Sequence, residues 1–82
     1  MPEVSVFYGI RITMNFNDHV PPHIHAAYGD DEALYSIKDL KLLKGRLPNK
    51  AQYLVLEWME KYQLELLQMW DTSLIHRLPP LV

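Results

Sequence analysis

Three of the four histidines of this chain fall within seven residues, as His19, His23 and His25. Imidazole is a common metal ligand, and its charge changes near neutral pH, so such a cluster suits a metal site or acid/base catalysis. Asp18 is the nearest carboxylate and is the candidate for a further ligand, a group that orients a ligand, or a general base. The chain has no cysteine, which excludes thiolate zinc sites, disulfides and cysteine nucleophiles.

Three interpretations of the cluster stay open. In the first, His19, His23 and His25 bind a divalent metal ion (zinc, iron or manganese), and Asp18 and His23 are catalytic. In the second, the same histidines act without a metal, as general acid and base or as contacts to a phosphate. In the third they are structural and hydrogen-bonded inside the core, because a buried imidazole needs a partner for each ring nitrogen.

The elements that must position the cluster are β-strands in the first half of the chain. Apolar and β-branched residues, alternating in part with polar ones, predict strands at residues 4–8, 10–16, 23–28 and 32–37, with a short edge strand at 40–43. Pro21 and Pro22 make a rigid corner directly before the third strand. Residues 29–31 predict a turn that joins the third and fourth strands as a hairpin.

Within the third strand, His23 and His25 are two residues apart and therefore point to the same side. The register that we expect for the hairpin sets them opposite Ile37 and Tyr35. If that side is the core, both rings are enclosed. If it is not, His19 can fold back at the proline corner and complete a site with them.

The second half predicts one long helix. Pro48 suits the first helical turn, where its missing N–H costs nothing, and the helical period continues to residue 70 or 71. The apolar stripe comprises Ala51, Leu54, Val55, Trp58, Met59, Tyr62, Leu66 and Met69. Leu56, Leu67 and Trp70 widen it, so the arc is either wrapped by the chain's own sheet and tail or meets a small protein partner or a second copy.

The expected fold is α+β: a small antiparallel sheet of three to five strands followed by one long C-terminal helix packed on one face, in a single domain spanning residues 1–82. The net charge of -2 counts against a dedicated nucleic-acid binder, although binding to nucleic acid stays open. Five basic residues between positions 38 and 50 predict a solvated turn and helix start. Arg11 and Arg46 are the arginines available to clamp a phosphate, and His76 is expected at the surface.

We expect a cytoplasmic protein without a membrane segment. The N-terminus lacks the basic start and apolar run of a signal peptide. No stretch approaches the roughly 18 consecutive apolar residues of a membrane span.

Several strings of this sequence together resemble one known family. They are Phe7-Tyr8-Gly9-Ile10, Phe16-Asn17-Asp18-His19-Val20-Pro21-Pro22-His23-Ile24-His25, Tyr28-Gly29, Gly45-x-Leu47-Pro48 and Leu56-Glu57-Trp58. The chain resembles the small bacterial and archaeal proteins grouped as domain of unknown function 4160. The resemblance implies a small sheet backed by a helix, and a gene context similar to a toxin–antitoxin pair. It marks Asp18, His19, His23 and His25 as candidate functional positions.

Our leading hypothesis is a subunit of a two-protein, toxin–antitoxin-like module in which the cluster of His19, His23 and His25 is functional. One alternative is a metal-dependent hydrolase that acts on a phosphodiester or a nucleotide. Another is a metal-free, ribonuclease-like toxin that uses the same histidines. The expected partners are a small protein or a second copy of the chain.

Overall fold

The computed structural model describes residues 2–15 and 21–81, and they form a sheet followed by a helix. The elements are β1 (Glu3–Phe7), β2 (Ile10–Thr13), β3 (His23–Tyr28), β4 (Asp31–Ser36), β5 (Leu42–Gly45) and α1 (Asn49–Thr72). The five strands pair antiparallel in their chain order, so the sheet is a meander with β1 and β5 at its edges. The expected α+β arrangement is confirmed.

Two-residue turns connect β1 to β2 and β3 to β4. Phe7 pairs with Ile10, and the intervening Tyr8 and Gly9 both have positive φ angles, 51° and 79°, as a type I′ hairpin turn requires. In the second hairpin the turn is residues 29–30, of which Gly29 has φ 61°. Both turns therefore lie at the same end of the sheet.

The register that we expected for the β3–β4 hairpin is wrong by one residue. His23 and His25 do not lie opposite Ile37 and Tyr35. The observed pairs are His23–Ser36, Ile24–Tyr35 and His25–Leu34. The cause is the turn, which contains residues 29–30 only, so that the returning strand begins one position earlier.

This register decides which face of β3 is the core. Ile24 and Ala26 are buried in the hydrophobic core together with Tyr35. Because side chains alternate along a strand, His23 and His25 lie on the opposite face from Ile24 and Ala26. His25 does not pair with Tyr35, and the expectation that both imidazole rings are enclosed in the core depended on that pairing.

β1 and β4 are each shifted by one residue from their expected bounds, and β2 and β5 differ from theirs by more. β2 ends at Thr13 rather than continuing to residue 16, yet Met14 is fully buried and its N–H donates to the Pro2 carbonyl at 3.1 Å. β5 covers 42–45 rather than 40–43, and Gly45 pairs with Ala33 instead of following the strand. Gly45 belongs there because its Cα approaches β4 too closely for a side chain.

The helix α1 confirms the predicted stripe. Its buried residues are Ala51, Val55, Trp58, Met59, Leu66 and Met69, while Leu54 and Tyr62 of the stripe are half-buried. The backbone of Tyr62 leaves helical geometry and kinks the helix, and Ser73, with φ 60°, ends it. Phe7 packs on Trp58 and Tyr35 bonds Gln52, so α1 lies on the sheet face that carries the core.

The broad apolar arc of α1 is largely covered by the chain itself. Leu56, Leu67 and Trp70 pack against the core, as do Ile75 and Leu81 of the segment that follows α1. These contacts support the interpretation in which sheet and tail wrap the helix.

Among residues 2–15 and 21–81, α1 and the rest of the chain offer no helix with the length and apolar character of a membrane span.

Candidate functional site

The two described histidines of the cluster lie side by side at the start of β3. Their ring centroids are 5.5 Å apart, with the ring planes tilted by 50°. The strand sets both side chains on one face, as the sequence predicts, and the corner at Pro21 and Pro22 fixes where the strand begins.

His23 is held in one orientation. Its side chain is 8% exposed, and Nδ1 lies 2.9 Å from the carbonyl oxygen of Pro21. A carbonyl oxygen only accepts hydrogen bonds, so Nδ1 carries the proton, and in the neutral ring Nε2 carries the lone pair. The carbonyl is the only backbone hydrogen-bonding group of a proline, so it is suited to receive a side-chain donor.

Although α1 packs on the core face of the sheet, Trp70 in its last turns contacts His23, which is the first residue of β3. Its ring centroid lies 5.2 Å from that of His23, so a large apolar surface covers one side of the imidazole. The sequence reasoning placed Trp70 on the flank of the helical stripe and missed this role. The available signal was weak: a large aromatic residue at the far end of an otherwise explained helix.

Hydroxyl groups lie on the strands that pair with the histidines. Ser36 is opposite His23, and Thr13 is opposite His25, and both are buried. The Oγ of Ser36 accepts a hydrogen bond from the N–H of Asp39 at 3.1 Å, which ties the site to the β4–β5 turn. The neighbourhood of the two rings is therefore polar on its strand side and apolar on its helix side.

The two arginines considered as phosphate clamps lie elsewhere. The Nε of Arg11 donates to Glu3 at 3.1 Å, and Arg77 donates to the other oxygen of the same carboxylate. These two hydrogen bonds, of which the one from Arg77 has the larger effect, hold the pKa of Glu3 below its ordinary value. Arg46 follows β5 near the start of α1, at the opposite end of the sheet from His23.

The remaining residues singled out in the sequence are Asp18, His19 and His76. Asp18 and His19 lie outside the described residues. Within 2–15 and 21–81, no three histidine, aspartate or glutamate side chains come together as a set that could hold a metal ion. His76 is exposed, as expected, with its Nδ1 3.0 Å from the carbonyl of Arg77.

The spacing of the rings is compatible with two ligands of one ion. With Zn–N distances of about 2.0–2.1 Å and tetrahedral angles, the centres of two ligating imidazoles are roughly 5 Å apart. The observed separation between His23 and His25 is 5.5 Å. The same separation also allows the pair to act as acid and base on one small substrate.

A family model described as Domain of unknown function (DUF4160) matches residues 9–71, which is more than half of the chain. The matched region includes His23, His25 and Trp70. Comparisons with curated proteins and with solved structures found no match. The chain belongs to the DUF4160 family.

Proposed function

We propose that this member of the DUF4160 family binds a divalent metal ion through His23 and His25, and that the site hydrolyses a phosphodiester or a nucleotide. The observation that carries the proposal is the 2.9 Å hydrogen bond from Nδ1 of His23 to the Pro21 carbonyl. Metal-ligating histidines almost always donate their second ring N–H to a carbonyl, carboxylate or water, which fixes the tautomer that can bind.

Sequence spacing supplies the rest of the proposed ligand set. His19 is the third ligand and Asp18 the general base in this proposal, and both assignments rest on the sequence alone. Three protein ligands leave a coordination position for water or substrate. A divalent ion with such a position lowers the pKa of bound water and polarises a phosphoryl oxygen. The Pro21 carbonyl and the Trp70 ring then hold His23, one of the ligands, in place, and Trp70 limits the access of bulk water to it.

Elemental analysis tests the proposal directly. Untagged protein, purified without chelator, is expected to contain close to one equivalent of zinc, iron or manganese. The variant His23→Ala/His25→Ala should lose it, while the matched control His76→Ala should keep it, since His76 is an exposed histidine outside the cluster. Metal-free wild-type protein that also fails to take up added zinc would contradict the proposal.

A further variant, with one substitution, separates metal loss from unfolding. His25 is less buried than His23, so His25→Ala is expected to remain folded and to lose more metal affinity than the roughly 10–100-fold that loss of a group supporting a ligand costs. Circular dichroism of each variant monitors folding. Nuclease activity in metal-free protein that depends on the same histidines would favour the ribonuclease-like alternative.

The chain also has a surface that supports a role as one subunit of a two-protein, toxin–antitoxin-like module. Tyr53 and Leu64 of α1, which are not part of the predicted apolar arc, are 66% and 77% exposed. Tyr53 borders an open groove of about 760 Å³ whose walls also include Leu56 and Leu81. Size-exclusion chromatography with the product of the neighbouring gene tests this role. One co-eluting peak, lost in Tyr53→Ala/Leu64→Ala, is expected, and two independent peaks at micromolar concentration would exclude it.

A further inference from the structure

A second groove lies at the end of the sheet away from the histidines. β3 begins at His23 and ends at Tyr28, so these residues are about 16 Å apart at the usual rise of a strand. The groove has a volume of about 410 Å³, within the range of small-molecule sites. Its lining residues are Tyr8, Ile10, Tyr28, Pro48, Lys50, Ala51 and Leu54.

Aromatic rings border this groove, and its floor is apolar. Tyr8 and Tyr28 are 61% and 40% exposed, whereas Ile10 and Ala51 are buried. Gly9 lies close to the Tyr28 ring, since a Cβ built on Gly9 would be 3.4 Å from that ring. Two accessible tyrosine rings beside an apolar floor suit a flat, ring-shaped ligand.

The backbone of Tyr8 is strained, and burial of its ring does not account for that strain. Its φ of 51° is a region that a bulky residue rarely adopts, and type I′ turns favour asparagine, aspartate or glycine at this position. A ring that is 61% exposed gains little from core burial to offset that strain. Strained residues of this kind cluster at ligand-binding sites.

A positively charged side chain lines the groove. Of the lining residues in the described part of the chain, Lys50 is the charged one. The groove also adjoins the start of α1, where the first N–H groups lack intrahelical acceptors and the helix dipole favours an anion. Pro48 has no polar side chain to cap these groups, and residues 49–52 include no carboxylate.

We propose that this groove binds a mononucleotide, with the base stacked against Tyr8 and Tyr28 and the phosphate beside Lys50 and the first turn of α1. The aromatic rings select the planar base, and Lys50 selects the phosphate. The site is independent of the histidine pair, so a nucleotide bound here is a ligand of a separate site and is not placed for hydrolysis by His23 and His25.

Titration of the full chain with AMP, followed by amide chemical shifts in NMR, tests the proposal. Saturable shifts are expected at Tyr8, Gly9, Tyr28 and Lys50. Tyr8→Asn is the decisive variant, because Asn-Gly is the preferred type I′ sequence and the fold should be at least as stable. It should weaken AMP binding about tenfold by loss of one stacking ring, whereas Tyr8→Phe retains the affinity. Leu74→Ala, which removes an exposed apolar side chain of the segment after α1, is the control and should bind as wild type does.

Adenosine and Lys50→Gln test the anionic half of the site. Adenosine is expected to bind more weakly than AMP to the wild type, and Lys50→Gln should reduce that difference, leaving only the part due to the start of α1. The His25→Ala variant should bind AMP normally. The proposal is overturned if AMP at several millimolar produces no saturable shifts at these amides, if Tyr8→Asn binds AMP as tightly as wild type, or if adenosine and AMP bind equally.

Discussion

The indole Nε1 of Trp58 donates a 2.9 Å hydrogen bond to the carbonyl oxygen of Pro79. The N–H of Leu78 donates to the carbonyl of Val4 at 2.8 Å, so the C-terminal segment is attached both to the middle of α1 and to β1. Trp58 also packs against Phe7 and Tyr62, with ring centroids 5.5 and 5.6 Å away. One fully buried side chain therefore connects helix, sheet and tail.

Trp58→Ala is expected to lower the free energy of unfolding by about 3–5 kcal/mol, the usual cost of truncating a buried aromatic residue. Such a loss is enough to unfold much of a domain of this size. Trp58→Phe retains most of the packing and removes the bond to Pro79, so it should cost less. Urea denaturation measures both, with Tyr53→Ala as an exposed control expected within about 0.5 kcal/mol of wild type.

Gly45 and Gly29 offer a matched pair of substitutions. Both have positive φ angles, so alanine at either position costs roughly 1–2 kcal/mol from backbone strain. At Gly29 nothing lies within 4 Å of the added Cβ, while at Gly45 the carbonyl oxygen of Glu32 lies 2.2 Å away. Gly45→Ala should therefore be the more destabilising variant, and equal urea midpoints would show that β5 can move away from β4 at little cost.

Acidification should weaken the attachment of the tail to β1. Because Arg77 and Arg11 lower the pKa of Glu3 in the folded state, the stabilisation is present above the ordinary value of 4.5 and is lost as the pH falls through the lowered pKa. Melting temperatures of wild type and Glu3→Gln should thus differ at pH 7, and the difference should shrink progressively as the pH falls below 4.5. A difference that stays constant as the pH falls below 4.5 would assign the effect of Glu3 to something other than its charge.

Alkaline conditions should act through Tyr35. Burial raises the pKa of its hydroxyl, which donates to Oε1 of Gln52 at 3.1 Å. The unfolded chain then ionises first, so stability is unaffected below about pH 10 and falls as the pH rises toward the raised pKa. Tyr35→Phe should cost about 1 kcal/mol near neutral pH and show a smaller decline above pH 10 in urea titrations.

Metal removal should destabilise the protein if the proposed ligands are right. An ion present at 100 times its dissociation constant stabilises the folded state by about 2.7 kcal/mol. Chelator should therefore lower the melting temperature of the wild type and leave that of His23→Ala/His25→Ala unchanged. An identical response of both proteins would place the bound metal elsewhere.

The sequence by itself determined the kinds of elements and much of their composition. Period-2 alternation and the helical stripe are local patterns, because each follows from the geometry of one strand or one helix. They were enough to predict a small antiparallel sheet of three to five strands, one long helix and a common side for His23 and His25. The strings around Asp18 also sufficed to indicate the family to which the chain belongs.

Tertiary structure alone decided how these elements meet. The β3–β4 register depended on whether the turn holds two residues or three, a difference that reverses the face of every side chain opposite β3. The approach of Trp70 to His23 joins residues 47 positions apart, and the groove between Tyr8 and Tyr28 joins two separate hairpins. Such contacts depend on how the helix and sheet pack together, and no local period of the sequence encodes that packing.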